Sequence, residues 1–193
     1  MIFRILNLND CTDAQLRQWF QEADAERRAG ILQKKNPLAQ KQSLCADHLA
    51  RELLAEACGC ERVEFRRLES GKLTAPSLPV DFSLSHSGSF VACAVHEAPV
   101  GIDIEALREI RPQLAKRTCS TSELDYIYSG GSFDSARFLQ IWTAKEAVLK
   151  LRGTGIAADL RAISVADRAG LRFDGLRFYH SLTADYALTV VYQ

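Results

Sequence analysis

The chain has 193 residues, with 24 basic and 24 acidic side chains and no net charge at neutral pH. A balanced surface carries no global field toward nucleic acid or a membrane, so any anion site has to be local. The opening MIFRILNLND lacks the charged start, apolar middle and small-residue cleavage site of a secretory signal, and no apolar run of about 18 residues occurs. The chain therefore reads as soluble and cytoplasmic, with no nucleic-acid or membrane partner, and long enough for one domain or two small halves. Six cysteines (Cys11, Cys45, Cys58, Cys60, Cys93 and Cys119) show no CxxC pair and read as reduced thiols. Cys58-Gly59-Cys60 is half of a metal knuckle whose second half is missing.

Alternation over residues 1–8 predicts a first strand. Thr12 and Gln15 have capping-box spacing and start a helix carrying Leu16, Trp19, Phe20 and Ala23, with Gly30 as its stop. Arg27, Arg28, Lys34, Lys35 and Lys41 then form a basic cluster, either a solvated surface or one wall of a polyanion site. Asn36-Pro37 is an N-cap with proline in the first turn, opening a helix through Cys45, Leu49 and Leu53 to Gly59. A strand around 63–68 follows, then a turn at Ser70-Gly71-Lys72, where glycine allows close backbone approach and lysine offers a point charge.

Residues 81–87, DFSLSHS, alternate cleanly, so His86 points with Phe82 and Leu84 while Ser83, Ser85 and Ser87 share the other face. A satisfied structural histidine is the usual explanation for such a placement, with a functional histidine as the alternative. Phe90 to Val95 returns as a hairpin. In VGIDIE, residues 100–105, period two puts Val100, Ile102 and Ile104 on one face and Gly101, Asp103 and Glu105 on the other, the two carboxylates about 6 to 7 Å apart. Like charges so close repel unless a cation lies between them, and oxygen-only ligands favour magnesium, manganese or calcium over zinc. The plain alternative is the solvent face of an antiparallel strand.

Arg108, Arg111, Lys116 and Arg117 fall in a helix-compatible stretch, and Ser120 with Glu123 has capping-box spacing. Next comes FLQIWTAKEAVLKLR, residues 138–152. At about 100° per residue Phe138, Ile141, Ala144, Val148 and Leu149 form an apolar arc, while Trp142, Glu146 and Lys150 make one row at i, i+4 and i+8. Lys145 falls in or beside the apolar arc, where an ammonium is costly unless it meets an anion or snorkels to water. The helix ends at Gly153-Thr154-Gly155. Strands are expected at 162–166 and from about 181 to 192, with a turn at Asp174-Gly175.

His86-Ser87 before FVACAV recurs as His180-Ser181 before YALTVV, each copy preceded by a long helix, a glycine stop and a β segment. The pattern predicts a diverged duplication of class α+β. Its two halves, 1–99 and 100–193, each carry a long helix on a small antiparallel sheet, with a ligand cleft between them.

GIDIE at 101–105 and WTAKEAVLK at 142–150 resemble the two signature segments of the 4′-phosphopantetheinyl transferases, and FSLSHS at 82–87 is similar to that family's third segment. The chain resembles the larger, surfactin-synthetase-activating class, a monomer of two pseudo-two-fold-related halves. The likeness is close over about 71–154. It implies transfer of the phosphopantetheine arm of coenzyme A to a serine of an apo acyl or peptidyl carrier protein, with adenosine bisphosphate released. By the same resemblance Asp103, Glu105 and Glu146 would hold Mg2+ (or Mn2+), Glu146 would take the serine proton, and Lys145 and Lys150 would contact phosphate oxygens and the leaving group. Ser85 and His86 would hold the phosphates or adenosine end, with Gly71 and Lys72 beside the adenine. Arg27, Lys34 and Lys41 are candidates for the ribose phosphate, and Glu123 matches a family glutamate although its capping role competes. Where the family often has proline, Leu73 follows Lys72. Carrier proteins are usually acidic around the target serine, which makes Arg108, Arg111, Lys116 and Arg117 the expected docking face. Two alternatives use the same residues differently, a non-catalytic carrier-binding module and a metal-dependent nuclease.

Overall fold

A computed structural model describes residues 1–68, 71–154, 160–167, 169–173 and 175–193; Ser70, Gly155 and Asp174, named above at turns, lie outside them. The elements run β1 (Ile2–Asn7), α1 (Asp13–Glu22), α2 (Ala25–Leu32), α3 (Pro37–Cys58), β2 (Arg66–Arg67), β3 (Leu73–Thr74), β4 (Asp81–Ser87) and β5 (Phe90–His96). They continue with β6 (Val100–Ala106), α4 (Pro112–Thr118), α5 (Thr121–Ile127), α6 (Ser135–Arg152), β7 (Ala166–Asp167), β8 (Gly170–Leu171), β9 (Arg177–Leu182) and β10 (Tyr186–Tyr192). Among the described residues no helix is long and apolar enough to cross a membrane.

Helix ends follow local chemistry. Thr12 with Gln15 and Ser120 with Glu123 form complete capping boxes, Asn36 caps α3, and Gly59 closes α3 in the left-handed region at φ 64°. The helix expected to run to Gly30 is instead two. Ala23 is extended, and the Asp24 carboxylate accepts from Arg27 N, so a new helix starts there with Gly30 inside it. The strand expected at 63–68 is only the two-residue β2, paired with β3. The one expected at 162–166 gives way to a 3-10 turn over Leu160–Ala162 and a pairing of β7 with β8.

Two three-stranded antiparallel sheets carry the fold, in orders β1-β5-β4 and β6-β10-β9. One face of β5 (Val91, Cys93, Val95) packs with Leu49, Leu53 and Leu54 of α3. Its other face (Ala92, Ala94) meets Val100, Ile102, Ile104, Leu188 and Val190 of the second sheet. The far side of that sheet, through Ala187 and Val191, packs on α6 through Ile141, Ala144, Ala147 and Val148. The layers are thus α3, sheet, sheet, α6, and each fully buried Leu, Ile, Val or Phe contributes roughly 1.5–3 kcal/mol.

Where β4 meets β6, side chains replace the missing backbone ladder. Asp81 Oδ2 accepts from Val100 N at 3.0 Å, Ser83 Oγ from Ile102 N at 3.1 Å and Ser85 Oγ from Ile104 N at 3.3 Å. The three serines of β4 are therefore buried, while His86 on the opposite face is exposed.

Candidate functional site

The acidic face of β6 is covered by α6 and is not a solvent face. Contact is close because Gly101 has no side chain: a Cβ there would overlap the Ala147 carbonyl and lie 2.7 Å from Leu151 N. That approach brings the row Trp142, Glu146, Lys150 down onto Asp103 and Glu105. Lys150 Nζ donates to Asp103 Oδ1 at 2.7 Å, and Ser85 Oγ donates to the same oxygen at 2.7 Å. Trp142 Nε1 donates to Glu105 Oε1 at 3.2 Å, Ser87 Oγ donates to Glu105 Oε2 at 2.7 Å, and Arg108 lies 3.5 Å from Oε2.

Two buried carboxylate oxygens, Asp103 Oδ2 and Glu146 Oε1, have no hydrogen-bond partner among the described residues. Burial pushes the Glu146 carboxyl above the usual carboxylate range; Asp103 adds to the shift and Lys150 opposes it. Orphaned anionic oxygens at this depth are costly unless a cation meets them. Among the described residues, no three His, Cys, Asp or Glu side chains converge as a ready-made metal cluster. A magnesium ion, which keeps several waters and is usually held by one or two carboxylates plus substrate phosphates, still fits the Asp103 and Glu146 oxygens. Glu105, expected as a third ligand, instead has both oxygens engaged by protein donors.

Both carboxylates open on a cavity of about 570 Å³. Its walls include Arg27 and Lys34, Ser43 of α3, Arg67, Gly71 and Lys72, Ser85 and His86 of β4, and Glu146 and Lys150 of α6. Most residues expected at the site thus share one hollow. Arg27 is held by Asp47 (3.0 Å) and the Ser43 carbonyl (2.7 Å), and Lys72 by Asp81 (2.7 Å). His86 keeps an exposed edge, but the cavity wall around its ring desolvates it, and with Lys150 and Lys34 this presses the imidazole below its usual pKa, Glu105 opposing.

Three expected residues are elsewhere. Lys145, expected on the phosphates, is 1% exposed and donates to Glu123 Oε2 at 2.7 Å, Thr118 O at 2.8 Å and Leu160 O at 2.7 Å. An ammonium has three donors, so none remains for a ligand. Glu123, 0% exposed, completes that clamp by accepting from Ser120 N and Val165 N, which makes it structural. Lys41 does not line the cavity. Arg108, Arg111, Lys116 and Arg117 are exposed around α4. Sequence reasoning overlooked Asp47, Asp81 and Arg67. Asp47 had a readable signal in its i, i+4 spacing to Arg51, which it binds at 2.9 Å; Arg67 had none.

Residues 99–191 match the family model of the 4′-phosphopantetheinyl transferase superfamily. The chain is 34% identical over 143 residues to the 4′-phosphopantetheinyl transferase psf-1 of Bacillus pumilus, covering 72% of this chain and 61% of that one. It is 33% identical over 128 residues to the 4′-phosphopantetheinyl transferase Sfp of Bacillus subtilis strain 168, covering 64% and 57%. To the 4′-phosphopantetheinyl transferase AcpT of Escherichia coli K12 it is 37% identical over 95 residues, covering 44% and 46%. The chain thus spans about half to three fifths of the length of the curated relatives it matches.

Proposed function

We infer that this chain belongs to the 4′-phosphopantetheinyl transferase superfamily, and from that premise we propose that it transfers the 4′-phosphopantetheine arm of coenzyme A to a serine of an apo acyl or peptidyl carrier protein. The observation that carries the reading is the pair of orphaned carboxylate oxygens, on Asp103 and Glu146, opening on a cavity with cationic walls.

Asp103 and Glu146 would hold the divalent cation, magnesium or manganese, with Glu105 beside them. Bound there, the cation supplies charge neutralisation on the pyrophosphate. Lys150 is 30% exposed and can swing from Asp103 to the leaving phosphate. Lys72, Arg27, Lys34, Ser85 and His86 fix the nucleotide. The carrier serine oxygen forms its bond to phosphorus, the phosphorus–oxygen bond to adenosine 3′,5′-bisphosphate breaks, and the serine proton passes to Glu146. Burial suits Glu146 to that role, since it raises the proton affinity of the carboxylate. Positioning and charge neutralisation are the main work of such a transfer.

The halves, 1–99 and 100–193, are read as pseudo-two-fold equivalents. Support comes from the shared strand order, with β1, α3, β4 and β5 corresponding to β6, α6, β9 and β10. His86 and His180 occupy matching hairpins. The exposed Arg108, Arg111, Lys116 and Arg117 offer a basic docking face for an acidic carrier.

Intact-mass spectrometry of apo acyl and apo peptidyl carriers, incubated with the protein, magnesium and coenzyme A, tests the activity. One added arm per carrier is expected, and no gain on any carrier overturns the reading. In the same assay, R111E/K116E should raise the carrier KM and leave coenzyme A affinity unchanged.

A further inference from the structure

We propose that Thr143, Thr189 and His180 form a buried positioning network that fixes where Glu146 stands over Asp103; the inference rests on the transferase reading above, in which those two carboxylates hold the cation and Glu146 takes the serine proton. The need for such a network starts with Glu146 itself. Its Oε1 has no hydrogen-bond partner among the described residues, so the place of that oxygen depends on where α6 lies on the sheet. Thr143, Glu146 and Lys150 follow one another at i, i+3 and i+7 and share one face of the helix. Around them α6 presents Ile141, Ala144, Ala147 and Val148, and apolar contact is non-directional, so it leaves the helix room to slide or roll. Among the described residues three polar ties cross from α6 to the strands beneath: Trp142 to Glu105 at 3.2 Å, Lys150 to Asp103 at 2.7 Å and Thr143 to Thr189 at 2.9 Å. The first two end on carboxylates beside the cation site, and Lys150 can leave for a phosphate. Thr143 and Thr189 are 0% exposed, so their tie persists whatever the cavity holds.

The tie does not end at Thr189. On β10, Thr189 has Asp103 of β6 as its cross-strand partner on one side and His180 of β9 on the other, so one row of the sheet runs from the cation site to a histidine. His180 Nδ1 is 3.0 Å from Thr189 Oγ1, and Thr143 Oγ1 donates to the Gln140 carbonyl at 3.1 Å. Each hydroxyl has one proton to give. With that of Thr143 on the carbonyl, Thr189 donates to Thr143 and His180 Nδ1–H donates to Thr189. Both hydroxyls are then satisfied, and the Thr189 side chain is held from two sides. The cost falls at the far end, where His180 Nε2 is buried without a hydrogen-bond partner among the described residues. An unpaired buried nitrogen lowers stability, so stability alone does not account for a histidine at this position.

Steady-state transfer to an apo carrier, with coenzyme A and magnesium and alongside thermal melts, tests the role. T189V keeps the shape of the side chain and loses the hydroxyl, whereas T189S keeps the hydroxyl and loses a methyl. T189V should lower kcat roughly tenfold, the scale of one hydrogen bond, with the KM values for coenzyme A and carrier unchanged. T189S should keep the rate despite a lower melting temperature. T143V should match T189V, and T143V/T189V should lose no more than either alone, because both break the same chain. H180N, whose amide can replace Nδ1, should keep most of the rate that H180L loses. V95A, in the layer between β5 and α3, sets the baseline: a lower melting temperature with kcat unchanged. An unchanged kcat in T189V, equal rates in T189V and T189S, additive losses in the double variant, or a loss that follows melting temperature across the set overturns the proposal. If T189V fails to fold by circular dichroism, T143V carries the same decision. A wild type that modifies no carrier sinks the transferase reading and this inference with it. A wild type that modifies a carrier no faster than T189V does sinks only the inference.

Discussion

Lys145 and Lys150 stand on the same helix and look alike in the sequence, yet their surroundings give them opposite work. Lys145 is sealed against Glu123, with exposures of 1% and 0%. Removing one partner of a buried ion pair strands the other charge, so Lys145→Met should cost about 3–5 kcal/mol, read as a lower urea midpoint. Lys150 is 30% exposed and faces the cavity. Its partner Asp103 is only 8% exposed but keeps the Ser85 hydroxyl, so Lys150→Met should lower the urea midpoint less than Lys145→Met does while sharply lowering turnover on a carrier. Equal stability losses in the two variants would contradict this division. The sequence could demand an anion for Lys145, because helical spacing sets it against an apolar arc. It could not say which anion. Glu123 lies on another helix, and only the tertiary packing of α5 on α6 brings it within 2.7 Å.

The contact of α6 with β6 is the element on which the site depends, and Gly101 permits it. Alanine there would drive a methyl into the backbone of α6 at Ala147, and backbone cannot rotate aside as a side chain can. Gly101→Ala should cost about 2 kcal/mol or more by overpacking and lift Glu146 and Lys150 away from Asp103. Thermal unfolding would show the first effect, and a fall in kcat with little change in carrier KM the second. A variant with wild-type melting and turnover would mean that α6 does not ride on this glycine. Elements whose cause is local were legible in the sequence: the caps at Thr12, Asn36 and Ser120 and the stop at Gly59 each depend on a few neighbours. Elements whose cause is distant were not. The break at Ala23 carries no proline or glycine, and the two-residue pairings of β2 with β3 and β7 with β8 have no periodicity to read. Alternation in DFSLSHS placed the serines on one face correctly but could not show that this face is buried, because their partners are amides of β6.

Across the whole molecule, three of the four histidines are held below their usual pKa, and in each the leading cause is burial. His48 is stacked on Trp19 at 3.9 Å, His86 faces Lys34 and Lys150, and His180 has Nδ1 3.0 Å from Thr189 Oγ1 with Nε2 buried and unpartnered. For each, the folded value lies below the unfolded value of 6.5. Between the two values the unfolded chain holds more protons than the folded one, so stability rises with pH through that window and is lost as the solution is acidified from neutrality. Glu146 acts with the opposite sign: its raised carboxyl binds a proton more tightly in the fold, so acidification favours folding through that one group. The histidine windows lie below 6.5, so their contribution should show as a lower urea midpoint at pH 5.5 than at pH 7.5. His180→Asn separates the contributions, since the amide can keep the bond to Thr189 while removing both the titration and the stranded Nε2. Its midpoint should fall less than that of the wild type between the two pH values. A slope equal to the wild type's would show that His180 binds protons alike in the folded and unfolded chain, and the acid lability would then have to come from His48 and His86.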